Sequence, residues 1–375
     1  MEPSKDPVNK KWMTCTLSTY LLCFLLLLCL DHGRRRDALS IISSSSSSDV
    51  VVVDKDVATA STVETTTTKT KKKCNVFEGR WVYDEAAYPL YRSSDCPFLG
   101  DQVSCRRNGR QDSGYEKWRW EPTECQLPRF DGKEMLERMR GKRVVMVGDS
   151  INHNQWESFA CMLYSVLSPS RTHVDYTTFK ALVLKINEIS PSSQKWLGAD
   201  IIVFNSAHWW DLIEYEGKVL GDLEMEVAYR AGMKTWARWI DNNIDPSKTS
   251  VFFRSISPQH RGWNNHDCYN QTTPIMETDK PYIPTFPRSI IEIQENTIKE
   301  MKTPVKYLNI TRLSEFRRDG HSSVYTKRPE KLTSEQREQP ERHADCSHWC
   351  VPGLPDTWNV LVYVSAVLQT PNILL

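Results

Sequence analysis

The 375-residue chain has almost no net charge: 48 basic residues against 47 acidic ones leave +1 at neutral pH, with pI near 7.5. A chain without cationic excess has no general grip on phosphates, which argues against nucleic-acid binding. No CxxC pair occurs among its 11 cysteines, so the commonest zinc-ligand spacing is missing. No internal repeat and no glycine-rich phosphate loop are present. What stands out instead is 13 tryptophans in a chain of ordinary apolar content. Trp and Tyr clusters without excess cationic charge suit stacking on neutral sugars, although many of these rings must be core.

The N-terminus departs from globular rules. Met13 to Leu30 reads "MTCTLSTYLLCFLLLLCL", eighteen residues without a charge and just long enough to cross a bilayer. Lys5, Lys10 and Lys11 precede it and Arg34, Arg35 and Arg36 follow, so the positive-inside count is nearly balanced. A cleaved signal peptide is the rival reading. The lack of a small-x-small site after Leu30 favours an uncleaved anchor behind a cytosolic tail at 1–12. From Asp31 to Lys73 the sequence collapses into Ser, Thr, Val and Lys, which cannot build a core and reads as a disordered stem.

Eight cysteines follow the stem: Cys74, Cys96, Cys105, Cys125, Cys161, Cys268, Cys346 and Cys350. An even set confined to this part suggests up to four disulfides in an oxidising lumen. Two glycosylation sequons, at Asn270 and Asn309, agree with that placement. Together these signals point to a single-pass type II membrane protein.

Residues 74–131 are rich in Trp, Tyr, Pro and Cys with weak periodicity, the pattern of a loop-heavy, disulfide-held subdomain. From Gly132 onward short apolar runs alternate with helical patterns: "VVMV", "ADIIVFNS", "SVFFRS" and "PVKYLNIT" read as strands. The fold class expected is α/β, a parallel sheet covered on both faces by helices. In such sheets ligands sit at the carboxyl ends of the strands.

"VVMVGDSINHNQWESF" (144–159) places Ser150 at such an end, with Gly148 allowing a tight turn. Ser150 is either a nucleophile beside the free N–H groups of a helix start, or Asp149 or Ser150 is only a helix cap. Near the C-terminus, "DCSHWC" sets Asp345 and His348 three residues apart, on one face if the turn is helical. A serine hydroxyl needs an imidazole to take its proton and a carboxylate to orient that imidazole. A surface pair or a metal site is the alternative, with His260, His321 or His343 as third ligands.

"VGDSINHNQWES" together with "DCSHWCVPGLPDTWN" resembles the plant trichome-birefringence-like family of polysaccharide O-acetyltransferases, in the PC-esterase superfamily with its GDSL/SGNH-hydrolase-like fold. The likeness runs from Cys74 to about Tyr363 and includes "CNVFEGRWVYDEAAYPLY", "SCRRNGRQDSGYEKWRWEP", "CQLPRFD", "VFNSAHWW", "VFFRSISPQH" and "RRDGHSSVY". The resemblance implies a triad of Ser150, His348 and Asp345, and disulfides Cys74–Cys125, Cys96–Cys161, Cys105–Cys350 and Cys268–Cys346. It also implies Golgi residence and transfer of acetyl from a donor such as acetyl-CoA, through an acetyl-serine, to a cell-wall xylan, mannan or pectin. No bound cofactor or metal is implied, and no oligomeric state. The Ser150 N–H and the side chains of Asn154 or Asn205 are candidate oxyanion donors, with Gly148 and Asp149 shaping that turn. Trp118, Trp120, Trp209 and Trp210 are candidates to line a glycan groove, with core packing the alternative for each.

Two departures from the family stand out. His153 replaces an arginine common after Gly-Asp-Ser. Between "TFKAL" and "LKINEIS", near Leu182 and Val183, a few dozen residues that would supply a sheet strand are missing, which would leave a central edge open. An acetylesterase, or a polysaccharide-binding protein with an impaired site, are the alternative functions.

Overall fold

The computed structural model describes residues 74–167, 184–185, 189–206, 208, 210, 213–215, 218–220, 225–260, 268–276, 288–368 and 373–374. The apolar segment at 13–30, the stem, the Leu182–Val183 junction and Trp209 lie outside them. Among the described residues no helix is long and apolar enough to cross a membrane.

After a two-residue strand at Cys74–Asn75, the N-terminal region forms a hairpin of β1 (Gly79–Tyr83) and β2 (Trp118–Pro122), paired antiparallel from Gly79↔Pro122 to Tyr83↔Trp118. The chain between them makes only short 3₁₀ turns, as the Pro- and Cys-rich composition predicts. Then follow α1 (Gly132–Arg138), β3 (Val144–Val147), α2 (Ser150–Tyr164), β4 (Ile201–Phe204), α3 (Met225–Asn243), β5 (Ser250–Arg254), α4 (Arg288–Glu300) and β6 (Val305–Leu308). A further antiparallel pair, β7 (His321–Ser323) with β8 (Asp345–Trp349), precedes the last helix, α5 (Leu354–Ala366).

Strands β3, β4, β5 and β6 lie side by side in that order, all parallel. Their alternation sorts the side chains to two faces. Phe204 and Phe253 pack on Trp236 and Ile240 of α3 and Ile293 of α4. Val203 and Phe252 pack on Ile151 of α2 and Trp358 and Leu361 of α5. The expected α/β sheet with helices on both faces is therefore present. Burial of apolar rings on both sides, at about 25 cal/mol per Å² removed from water, is what holds the layers together.

The four disulfides join Cys74 to Cys125, Cys96 to Cys161, Cys105 to Cys350 and Cys268 to Cys346. Three of them tie the N-terminal region or a loop to helix α2 or to the neighbourhood of β8. Among the described residues β3 pairs with β4 alone, and Val144, Val145 and Met146 are only half-buried, whereas all four residues of β4 are buried. Among these residues the strand that leads to Ser150 is therefore an edge strand.

Candidate active site

Strand β3 ends at Val147, and Gly148-Asp149-Ser150 turns into α2. A Cβ on Gly148 would stand 2.8 Å from the Asn205 carbonyl oxygen and overlap the Asn205 side chain. The absence of a side chain is what lets β3 and the end of β4 close together here. Asp149 is the helix cap: its Oδ1 accepts from the Ile151 N–H at 2.9 Å. Asn205 grips the same residue, donating to Asp149 Oδ1 at 2.9 Å while its own oxygen accepts from the Asp149 N–H at 3.3 Å. Burial works against a charge on Asp149, but His208, Arg254, Asn205 and the Ile151 N–H outweigh it and hold the carboxyl below its usual range.

The capping duty falls on Asp149, which leaves Ser150 as the first helical residue with its hydroxyl elsewhere. His348 Nε2 lies 2.8 Å from Ser150 Oγ. His348 Nδ1 lies 2.9 Å from Asp345 Oδ2. Helical spacing for Asp345 and His348 is corrected: both stand in β8, a strand, where residues three apart would normally point to opposite faces. They meet because the Asp345 carboxylate curls back over its own chain. Its Oδ1 accepts from the N–H groups of Ser347 at 3.0 Å and His348 at 3.1 Å. A bulge against β7, between the pairs His321↔Trp349 and Ser323↔Asp345, accompanies this. Burial raises the Asp345 pKa, yet bonds from the His348 ring, its backbone N–H and Gln102 push the carboxyl far below its usual range. It stays charged across the pH range in which an imidazole works as a base.

Beneath β8 the support is rigid. Asn154 Oδ1 accepts from the Trp349 N–H at 2.8 Å and its Nδ2 donates to the Trp349 carbonyl at 3.1 Å. With both amide atoms on the Trp349 backbone and the side chain buried, Asn154 fixes α2 to β8 rather than facing Ser150. His321 stacks on Trp349 with centroids 3.7 Å apart, and its Nδ1 meets the His348 carbonyl at 3.0 Å. Its Nε2 lies 2.6 Å from His260 Nδ1, and His260 Nε2 reaches the Glu315 carbonyl at 2.8 Å. These two histidines, weighed as metal ligands from sequence, are placed against each other and against backbone. Among the described residues no group of three or more His, Cys, Asp or Glu could hold a metal.

Two residues not singled out from sequence join the site. Gln102, in the turn Asp101–Val103, places its Nε2 3.0 Å from Asp345 Oδ2 and 2.9 Å from His348 Nδ1. Glu157, one helical turn beyond His153 on the Ser150 face of α2, accepts from the Gly100 N–H at 2.6 Å and lies 3.6 Å from His153 Nδ1. Burial pushes its pKa up to about 7. His153, stacked on Trp156, has its pKa lowered by burial and by His348. One signal in the sequence pointed to Gln102: it precedes Cys105 by three residues, and Cys350, the partner of Cys105, follows His348 by two.

Trp120 and Trp210 are core, donating to the Val76 carbonyl at 2.8 Å and to Ser206 Oγ at 3.1 Å. Trp120 nonetheless borders a surface cavity with Asp84, Tyr88, Arg119 and Arg129. Trp118 is half-buried against Tyr83, which is exposed. Asn270 stands on an exposed turn, and Asn309 is half-buried with its amide toward Glu295.

A profile described as a GDSL/SGNH-like acyl-esterase family found in Pmr5 and Cas1p, PC-esterase, matches residues 127–182 and 171–365. The chain belongs to the PC-esterase family. The PMR5 N-terminal domain matches residues 72–126. Among its relatives are xylan O-acetyltransferase 6 of Oryza sativa subsp. japonica, 39% identical over 77% of this chain and 62% of the rice protein. Protein trichome birefringence-like 3 of Arabidopsis thaliana is 38% identical over 77% of this chain and 78% of its own length. Xylan O-acetyltransferase 2 of rice is 36% identical over 80% of this chain and 70% of its own length.

These matches bear on the junction near Leu182. The alignment to xylan O-acetyltransferase 6 spans 346 positions but 77% of this chain, and 77% of 375 residues is about 289. The PC-esterase match breaks into two pieces that overlap at 171–182. The relatives therefore carry extra residues inside the matched span, and the break coincides with the junction.

Proposed function

We propose that this PC-esterase protein is a polysaccharide O-acetyltransferase that carries acetyl on Ser150. The observation that supports this most is the continuous chain Ser150 Oγ, His348 Nε2, His348 Nδ1, Asp345 Oδ2, with both links within hydrogen-bond distance. Two relatives named xylan O-acetyltransferase favour a cell-wall polysaccharide as acceptor.

In the first half-reaction Ser150 Oγ attacks the carbonyl carbon of an acetyl donor while His348 Nε2 takes its proton. The oxyanion that forms is met by the Ser150 N–H at the start of α2, where the helix dipole favours negative charge. The donor's leaving group departs with the proton from His348, and acetyl-Ser150 remains. A sugar hydroxyl then gives its proton to His348 and attacks the acetyl carbon, and Ser150 Oγ leaves and recovers that proton. Asp345 remains ionised and holds the imidazole so that Nδ1 bears hydrogen and Nε2 accepts. The donor is an acetyl carrier of the acetyl-CoA kind, a co-substrate rather than a bound cofactor.

The eight paired cysteines and the apolar run at 13–30 support a Golgi membrane protein with a short cytosolic tail, a stem to Lys73 and its catalytic part in the lumen. Incubating the full-length protein with acetyl-CoA and deacetylated xylo-oligosaccharide tests the reaction. Net gain of ester on the oligosaccharide supports transfer. Release of acetate alone marks an acetylesterase, and binding without either product marks a polysaccharide-binding protein.

A further inference from the structure

We propose that Gln102, supplied by the N-terminal region, is a positioning residue of the triad, holding the Asp345 carboxylate where it keeps His348 a base. The inference rests on the Ser150–His348–Asp345 reading above.

Gln102 Nε2 stands within hydrogen-bond distance of both Asp345 Oδ2 and His348 Nδ1, and the charge on the carboxylate decides its assignment. The amide group facing Asp345 Oδ2 at 3.0 Å must be the nitrogen, because an oxygen there would oppose a carboxylate with no proton between them. For His348 to accept from Ser150, its Nδ1 must bear hydrogen, and that hydrogen points to the same Oδ2. Oδ2 therefore takes two donors, and Oδ1 takes the Ser347 and His348 N–H groups. Four hydrogen bonds define one orientation of the carboxylate. Without Gln102, Oδ2 keeps only the bond to the imidazole it is meant to orient.

The placement of Gln102 has no packing explanation. The residue is exposed, whereas its neighbours on both sides are fastened to the site. Gly100 donates to Glu157 of α2 at 2.6 Å, and Val103 accepts from the Val351 N–H at 3.0 Å. Cys105 is bonded to Cys350. The segment is thus pinned at one end to the helix that starts with Ser150 and at the other to Cys350 and Val351, directly after the strand that carries Asp345 and His348. A flexible, exposed glutamine on such a rigid support is placed to act on the triad rather than on the core.

Two variants of the full-length protein, Gln102→Ala and Gln102→Glu, test this with 4-nitrophenyl acetate as the probe of Ser150 acylation. For Gln102→Ala, kcat should fall about tenfold, within the span usual for such second-rank contacts, with KM and the melting temperature unchanged. For Gln102→Glu, a second negative charge beside His348 favours the imidazolium, so the acidic limb of kcat/KM should move to higher pH. Wild-type rates within twofold and an unmoved acidic limb would overturn the proposal. So would a loss of activity that follows a lowered melting temperature with the limb unmoved. Failure of the triad itself shows separately, as wild-type turnover by Ser150→Ala, and would overturn both readings.

Discussion

His348 Nε2 lies 2.8 Å from Ser150 Oγ across 198 residues of sequence. Each residue is placed by its own device: Ser150 by an aspartate cap and a glycine turn at the end of β3, His348 by a strand whose aspartate bends back over it. Asp345→Asn should keep the shape but lose the charge that fixes the imidazole tautomer. A fall in kcat of about 10³–10⁴ is expected at pH 7, measured with a chromogenic acetyl ester, with the melting temperature little changed.

Glu157 gives the fold a pH dependence of known sign. Its folded pKa, pushed up to about 7, lies above the ordinary glutamate value because burial disfavours the charge. The stability it contributes is complete below about pH 4.5 and is lost as pH rises through 7. The shift corresponds to a loss on the order of 3 kcal/mol. Chemical denaturation between pH 5 and 8 should show stability falling with pH, and Glu157→Gln should flatten that slope.

Gly148 admits no side chain, because a Cβ would meet the carbonyl oxygen and side chain of Asn205. Gly148→Ala forces β3 and β4 apart at the turn that aims Ser150. A destabilisation of about 1–3 kcal/mol is expected from such overpacking, together with loss of esterase activity. Thermal melting and turnover of the variant, measured side by side, check this.

The Cys105–Cys350 bond closes a loop of 245 residues and fastens the Gln102 segment beside His348. Replacing both cysteines by serine should cost about 2–5 kcal/mol. It should also reduce kcat, because the N-terminal region loses its hold on β8.

The layers of the fold were readable in sequence because each strand and helix announces itself locally. "IIVF" and "SVFF" are continuous apolar runs, and α3 repeats its buried residues Tyr229, Met233, Trp236 and Ile240 at helical spacing. Ser150, His348 and Asp345 were nominated as a triad by the family motifs rather than by geometry. Spacing alone suggested a helical turn for Asp345 and His348, whereas a β-bulge and the Ser347 and His348 N–H groups bring them together. Asn154 and Trp120 were candidates because of their residue types, and only tertiary contacts show that Trp349 and Val76 occupy them. Gln102 is signalled only through its spacing to Cys105, and the contacts of Gln102 with Asp345 and of Glu157 with Gly100 span 243 and 57 residues.

Among the described residues β3 has β4 as its single neighbour. Inserting the relatives' extra residues at Leu182 should give β3 a second neighbour and raise the melting temperature. Limited proteolysis of the two forms in parallel would register the same difference, with slower cleavage expected for the longer one.

The acyl-carrying role of Ser150 is tested most directly by mass spectrometry of the full-length protein. The protein is incubated with acetyl-CoA without acceptor, then digested. The expected result is one acetyl group on the peptide containing Ser150, lost when deacetylated xylo-oligosaccharide is added as the sugar gains an ester. Transfer to the sugar at the wild-type rate by Ser150→Ala, with no acetyl ever found on that peptide, would contradict it.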